Sequence, residues 1–206
     1  MNVYAKGKRG IIYKQGNICI KEKNPRSAVD TLKNEAKYLQ ILNKKSIGPK
    51  FIKYENKKLY REFVEGIRIK EFLENEKNKK KIVSVLKQVL EQCRKMDLLG
   101  INKQELTNPY KDILITKQNK AVMIDFERCK KTKKPKNVTQ FLQYIARNKP
   151  VLESKGIMID NKNSKNFWNE KSSWISHKKK LIKLGKEYKT KEDKKNFDKI
   201  IRFISG

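Results

Sequence analysis

Histidine is almost absent from this 206-residue chain, in which His177 is the only one. Serine and cysteine hydrolases need a histidine base beside the nucleophile, and many zinc sites use histidine ligands. The cysteines are odd in number and show no paired metal spacing; they are Cys19, Cys93 and Cys129. Histidine-dependent hydrolases and histidine-ligated metal sites are therefore poorly supported, and the cysteines indicate reduced thiols in a cytoplasmic protein.

Long apolar runs and acidic residues are also scarce. No run approaches the length of a membrane-spanning helix, and the N-terminus lacks a secretory apolar segment, so we expect no membrane partner. The 52 lysines and arginines outnumber the 22 acidic residues and give a net charge of +30. Adaptation to heat enriches glutamate along with lysine and does not explain this surplus. The basic runs, each a solvated face by itself, together predict RNA or a ribonucleoprotein as a partner; they are Lys77–Lys81, Lys130–Lys136 and Lys178–Lys183.

The segment from residue 100 to 128 predicts an antiparallel hairpin. Its apolar runs are Ile113–Ile115 and Val122–Ile124, and the polar turn between them is Lys117–Lys120. This spacing places Asp112 opposite Asp125 at the open end of the hairpin. Like charges in that position are destabilising unless they are neutralised, and Mg²⁺ with ligand phosphates would neutralise them. The alternative is an acidic loop whose charges are separated by solvent and nearby lysines.

The N-terminal residues predict a phosphate-binding hairpin. Gly7 and Gly10 flank Lys8–Arg9 and fit a G-x-G-x-x-G-x-V pattern that ends at Ile12, with one glycine missing. Glycines let backbone N–H groups approach phosphate oxygens closely. The next strand is an apolar run that ends in Lys21, at the spacing expected of V-A-I-K.

A helix is predicted to follow, because Ser27-x-x-Asp30 matches a capping box. Its apolar stripe consists of Ala28, Leu32, Ala36, Leu39 and Leu42. Glu35 lies on or beside this stripe, where a charge requires a partner, and Lys21 is the candidate. The alternative is a boundary glutamate that reaches solvent.

The remaining patterns complete an α+β fold. Phe51–Tyr54 and Lys58–Phe63 predict the last strands of a small, mostly antiparallel five-stranded sheet. Residues 62–66 predict a connector. The later helices are predicted from the apolar stripe between Ile82 and Met96, and over Val138–Ile145, Lys178–Tyr188 and Glu192–Ile204.

In order and spacing, these pieces resemble the protein-kinase-like fold over roughly residues 3–145. The resemblance is carried by GKRGIIY, ICIK, the helix with Glu35, REFVEG, LLGINKQEL and IDFE. The chain is most similar to the reduced atypical kinases: the RIO kinases, the small kinase of the KEOPS tRNA-modifying complex and a family of archaeal predicted serine/threonine kinases. This resemblance implies two lobes. An antiparallel-sheet N-lobe with one helix would cover residues 1–61, a hinge residues 62–66, and a mostly helical C-lobe residues 67–206.

The resemblance also implies a site for ATP and Mg²⁺. The residues implied to bind the nucleotide are Gly7, Gly10, Ile12, Lys21, Glu35, Tyr60, Glu62 and Val64. In this set the glycines cover the phosphates and Lys21 contacts them while it pairs with Glu35. The backbone from Glu62 to Val64 meets the adenine, and Tyr60 closes the back of that pocket. The implied metal ligands are Asp125, the main one, and Asp112.

The chain departs from the kinase pattern at the catalytic loop. The triplet that is usually His-Arg-Asp or His-Gly-Asp is Lys103–Gln104–Glu105 here. The implied catalytic residues are Lys21, Asp125 and Glu105, of which Glu105 would be the base or water-positioning group. The histidine that normally braces this loop is missing. The segment after Asp125 is also too short for an A-P-E element, so a basic run occupies the place where a substrate approaches.

Two functions remain open on these grounds. The first is an atypical serine/threonine kinase-like phosphotransferase, or an ATPase, acting on an unknown protein in an RNA-containing assembly. The second is a pseudokinase that serves as a basic RNA-binding or assembly scaffold. A small-molecule kinase is less attractive, because the basic surface suits a neutral sugar or a cationic drug poorly.

Overall fold

A computed structural model of the chain describes residues 3–157 and 170–205, and the side chains of all of these except residues 149 and 170–178. The described residues form an α+β fold, as the sequence predicts. An antiparallel sheet of five strands, with one helix packed on it, comes first along the chain. A larger, mostly helical part, from residue 67 onward, follows it.

The five-stranded sheet has the order β1-β2-β3-β5-β4. Its strands are β1 Val3–Lys6, β2 Gly10–Gln15, β3 Ile18–Lys23, β4 Phe51–Glu55 and β5 Lys58–Glu62. The turns at Gly16 and at Asn56–Lys57 need left-handed backbone, with φ of 55°, 49° and 57°. These short turns keep neighbouring strands antiparallel, so both predicted hairpins of this sheet are confirmed.

The helix on this sheet, α1, spans Leu32–Asn43 and buries Leu32, Ala36, Leu39 and Leu42. The predicted start at Ser27 was wrong. The Ser27 hydroxyl donates to the carbonyl of Val29 at 2.9 Å and so closes a local turn, and Ala28 is exposed. Asp30 instead accepts from the N–H of Leu32 at 3.0 Å, three residues closer to the observed helix.

The helical part is built around α3, whose apolar stripe is buried as predicted. It packs against α4, α7 and the strand β9. The helices are α2 Ile69–Asn75, α3 Lys79–Leu98, α4 Asn137–Arg147, α5 Lys149–Glu153, α6 Glu170–Thr190 and α7 Lys194–Ser205. Short strands complete it: β6 Ile67–Arg68, β7 Ile101–Asn102, β8 Ile113–Ile115, β9 Ala121–Met123 and β10 Lys130–Lys131. Within residues 3–157 and 170–205, no helix has the length and apolar composition that crossing a bilayer requires.

The hairpin of β8 and β9 differs from its prediction by one residue. The turn contains three residues, because Asn119 adopts a left-handed φ of 58° and the N–H of Thr116 donates to Lys120 at 3.0 Å. Ile115 therefore lies opposite Ala121. The predicted pairing of Asp112 with Asp125 was wrong: the carbonyl of Asp112 accepts from the N–H of Ile124 at 2.8 Å.

Candidate functional site

Lys21 lies where the sheet meets the helical part. Its ammonium nitrogen is 2.7 Å from Glu35 Oε2, so the pair predicted from the sequence is present. The same nitrogen is 3.4 Å from Asp125 Oδ1 and 3.6 Å from Glu127 Oε2. Burial by itself would lower the pKa of Lys21, but Glu35 and Asp125 outweigh it and raise that pKa. The lysine is therefore a permanent buried cation that joins α1, the sheet and the residues after β9.

Three carboxylates surround this ammonium group. One oxygen each from Glu35, Asp125 and Glu127 lies within 4.8 Å of the others. Burial opposes the ionisation of Asp125, but Lys21 and Lys103 prevail and hold its pKa below the usual range. Hard cations such as Mg²⁺ bind carboxylate oxygens together with phosphates. Lys21 engages Glu35, and Arg9 lies 2.6 Å from Glu127, so Asp125 is the residue best placed to bind such an ion. Glu127 would share the ion in exchange for its contact with Arg9.

Glu127 was not assigned a role from the sequence. Its Oε1 accepts from Arg9 at 2.6 Å, and its Oε2 accepts from the hydroxyl of Thr31 at 2.9 Å. Asn34 donates to its backbone carbonyl at 2.8 Å. The signal available was the spacing of two acids in IDFE, which places Glu127 two residues after Asp125. Glu127 thereby connects the glycine-containing turn, α1 and the candidate metal ligand.

The glycine-containing turn between β1 and β2 lies directly over Lys21. The N–H of Gly7 donates to the carbonyl of Gly10 at 2.8 Å, and Asn24 holds the carbonyl of Gly7 at 2.8 Å. A Cβ at Gly10 would come within 3.1 Å of the Lys21 side chain and 3.2 Å of a β3 carbonyl. A side chain at position 10 would force these neighbours to shift by a few tenths of an ångström, so glycine suits this close approach. Ile12 lies opposite Lys21 in the sheet, so the structure brings the predicted phosphate-side residues together.

The back of the predicted base pocket is formed differently from the expectation. Tyr60 lies opposite Ile20 in the sheet, whereas Lys21 lies opposite Leu59. Successive strand residues point to opposite faces, so Tyr60 is on the face away from Lys21, and its predicted position was wrong. Arg61 takes that place: it lies opposite Cys19, on the Lys21 face, and is 7% exposed.

The connector after β5 keeps the predicted backbone groups close to this position. The carbonyl of Glu62 accepts from Arg61 Nη1 at 3.1 Å. The Glu62 carboxylate accepts from the N–H of Lys50 at 2.9 Å, which ties the connector to the start of β4. The N–H of Phe63 donates to the carbonyl of Asn17 at 2.8 Å, and Val64 is half-buried. The connector is therefore anchored to the sheet on both sides.

Lys103 fills the mouth of the β8–β9 hairpin. Its nitrogen lies 3.1 Å from Asp112 Oδ2 and also donates to the backbone carbonyl of Asp125. Burial raises the pKa of Asp112 in spite of the neighbouring ammonium of Lys103. Asp112, the predicted second metal ligand, therefore contacts a lysine and lies outside the cluster of Glu35, Asp125 and Glu127.

Glu105, the predicted base, is exposed and has a left-handed φ of 75°. Its carboxylate forms an ion pair with the guanidinium of Arg128. Both side chains are accessible to solvent, so this contact is weakly held and a substrate could displace it. Glu105, Asp112, Asp125 and Glu127 border the same small cavity.

The loop before Glu105 is braced without histidine. The side-chain oxygen of Asn137 accepts from the N–H of Lys103 at 2.8 Å, and its amide nitrogen donates to Ile101 at 2.7 Å and to Asp97 at 2.6 Å. Asn137 and Asp97 are buried. Sequence reasoning missed this pair, because neither residue belongs to a motif and 40 positions separate them.

The basic runs lie on the surface of the helical part. Lys130, Lys131, Lys133, Lys134 and Lys136 are exposed, as are Lys179, Lys180 and Lys183, while the side chain of Lys178 lies outside the described ones. A groove of about 570 Å³ runs between α4 and α6. Its rim includes Lys136, Arg147, Lys186 and Lys189, so the end of one basic run and the helix that carries the other border the same groove.

Comparison with known proteins gives no independent assignment. No protein-family model matches the chain, and no curated protein matches its sequence. The chemistry of the site has to be inferred from its own residues: one buried ammonium, two carboxylates suited to a hard cation, and a glycine turn at contact distance.

Proposed function

We propose that the chain adopts the two-lobed protein-kinase-like fold and binds a Mg²⁺–nucleoside triphosphate, expected from the sequence to be ATP. The lobes would be residues 1–61 and 67–206, with residues 62–66 as the hinge. The position of Lys21 carries this proposal, because one buried ammonium from the sheet contacts Glu35 of α1 and both acids of the segment after β9. Arg9 lies 2.6 Å from Glu127, so a metal ion shared by Asp125 and Glu127 would take the place of that arginine contact.

The residues of the site fit the ligand in three respects. Lys21 would bind phosphate oxygens in exchange for its longer contacts with Asp125 and Glu127, while Glu35 keeps it in place. Asp125 and Glu127 would hold Mg²⁺, which neutralises charge on a transferring phosphoryl group. Arg61 carries a buried donor without an acceptor at the base end of the site.

The proposed activity is that of an atypical serine/threonine kinase-like phosphotransferase, or of an ATPase. Glu105 would accept the proton of a substrate hydroxyl or position water, after leaving Arg128. The basic runs make a protein substrate in an RNA-containing assembly the preferred partner. The three cysteines are free and buried thiols, which suits the reducing cytoplasm.

A second function is favoured by the contacts of two acids. Lys103 forms an ion pair with Asp112, and Arg128 forms one with Glu105. These contacts already neutralise two carboxylates that catalysis would use. A pseudokinase that presents the basic surface as an RNA-binding or assembly scaffold would have this arrangement. Turnover separates the two functions.

Calorimetric titration of Mg²⁺-ATP into wild type and Asp125→Ala tests nucleotide binding. We expect metal-dependent binding that is lost in Asp125→Ala. The control variant Asp198→Ala, which removes a carboxylate of α7, should retain it. Thermal unfolding confirms that each variant is folded. Failure of folded wild type to bind would remove the proposed nucleotide site and leave the scaffold as the function to pursue.

A further inference from the structure

Arg61 is a buried guanidinium without a carboxylate partner in the part of the chain that the structure describes. It is 7% exposed, and its Nη1 donates to the carbonyl of its own neighbour, Glu62, at 3.1 Å. Its Nε is buried and has no acceptor. Arginine is rarely buried unpaired, and a buried donor without a partner is costly. An acceptor from outside these residues would remove that cost.

The strand register locates this donor within the sheet. Arg61 pairs with Cys19 on β3 and with Phe51 on β4, and Cys19 precedes Lys21 by two positions. Residues two apart in a strand share a face, so Arg61 and Lys21 lie on the same side of the sheet. The charge of Arg61 acts to lower the pKa of the Cys19 thiol, although burial prevails and raises it. The guanidinium thus lies beside Cys19, next to the connector that begins at Glu62.

Guanine and adenine differ at the base edge that carries N7 and the group at position 6, and an arginine side chain can distinguish the two at that edge. Guanine presents two acceptors, O6 and N7, which a guanidinium can contact together, whereas adenine presents N7 and the N6 amino donor. A guanidinium has donors and no acceptor. Adenine N7 could accept from one N–H, but the N6 amino group would then place a donor against a second N–H. Guanine would supply acceptors to both.

We propose that Arg61 makes this site selective for a guanine nucleotide over an adenine nucleotide. The inference rests on the proposed nucleotide site and changes the preferred base from the one expected from the sequence. One contact of this kind discriminates between bases by about tenfold to a hundredfold. The same range is expected for the ratio of the dissociation constants of Mg²⁺-ATP and Mg²⁺-GTP.

Displacement of a fluorescent nucleotide by Mg²⁺-ATP, Mg²⁺-GTP and Mg²⁺-ITP from the full chain tests the proposal. Inosine shares O6 and N7 with guanine but lacks its 2-amino group, so ITP should bind as GTP does, and ATP more weakly. This comparison uses wild type alone and needs no variant to fold. Equal binding of ATP and ITP, or tighter binding of ATP, would overturn the proposal while leaving the nucleotide site in place.

Arg61→Leu should abolish the preference, and the matched variant Arg202→Leu, which removes an exposed arginine of α7, should keep it. Persistence of the preference in Arg61→Leu would show that another group reads the base and would also overturn the proposal. If folded wild type binds none of the three nucleotides, the proposed function fails, and this inference fails with it.

Discussion

The ammonium of Lys103 lies 3.1 Å from the carboxylate of Asp112 and donates to the backbone carbonyl of Asp125. The sequence predicts a metal ion between these two acids, and the protein itself supplies a cation there. Lys103 is buried, at 3% exposure, so its charge acts with little screening. Asp112 is consequently paired with a buried lysine and lies outside the cluster that contains Asp125 and Glu127, so the candidate metal ligands shift to those two acids.

Replacement of Lys103 by methionine should destabilise the fold in a pH-dependent manner. Removing one member of a buried pair leaves an uncompensated charge, and the expected loss is about 3 kcal/mol at pH 8. Burial already raises the pKa of Asp112. Without Lys103 this carboxyl takes up a proton more readily, so the loss should shrink toward pH 5. Urea denaturation at both pH values measures the difference in the free energy of unfolding.

The double variant Lys103→Met/Asp112→Asn should recover most of the loss at pH 8, because no charge is then left buried. Lys133→Met, which removes an exposed lysine, should change stability little at either pH. A loss that is equal at pH 5 and pH 8, and that Asp112→Asn does not relieve, would show that Lys103 acts through packing alone.

Asp97 should make stability fall as the pH rises. Burial outweighs the hydrogen bonds from Asn137 and Val138 and raises the pKa of Asp97 to about 6. The ordinary value is about 4, so the folded state binds this proton more tightly than the unfolded state does. The proton on Asp97 therefore stabilises the folded state by about 3 kcal/mol below about pH 4. This stabilisation declines between about pH 4 and pH 6 and is absent above that range.

The measurement is the free energy of unfolding of wild type and Asp97→Asn between pH 4 and pH 7. Asparagine does not titrate, and its oxygen can still accept from Asn137. Wild type should lose stability relative to the variant as the pH rises through this window. A constant difference would show that folding does not raise the pKa of Asp97.

The sequence contained enough information for the sheet, the main helices and the Lys21–Glu35 pair. Alternating apolar residues and short polar turns determine the strands, and the helical stripe places Glu35 inward. The single-residue error in the β8–β9 hairpin came from Asn119, whose left-handed conformation shortens the turn to three residues. Asparagine adopts the left-handed conformation readily but also adopts others, so the residue type alone does not distinguish a four-residue turn from a three-residue turn.

The errors at the site have a common physical origin. Whether Tyr60 or Arg61 faces Lys21 depends on the strand register, and a shift of one residue reverses the faces of a whole strand. The roles of Lys103 and Asn137 depend on contacts between distant parts of the chain. Such contacts follow from tertiary packing, which periodicity and motifs do not contain.

Glu105→Gln should slow phosphate release or transfer by about a hundredfold, the usual contribution of a positioned general base. The carboxylate lies outside the Lys21 cluster, so nucleotide affinity should stay within about twofold, since no ligand-binding charge is lost. Single-turnover kinetics and a binding titration measure the two quantities separately. Unchanged turnover would remove Glu105 from the mechanism and, if wild type is also inactive, favour the scaffold.

RNA binding should weaken steeply with salt, because lysines that contact phosphates release counterions. Lys133 and Lys134 are exposed residues of one basic run, so changing both to glutamate should weaken binding. The slope of log K against log salt should fall by about 1.4, from two phosphate contacts on a single strand. Lys44 and Lys45, an exposed pair at the end of α1, provide the control with the same change of charge. Fluorescence anisotropy with a single-stranded RNA at several salt concentrations measures both slopes. An equal effect of the two double variants would assign the binding to overall charge, and binding independent of salt would exclude the basic surface as the RNA site.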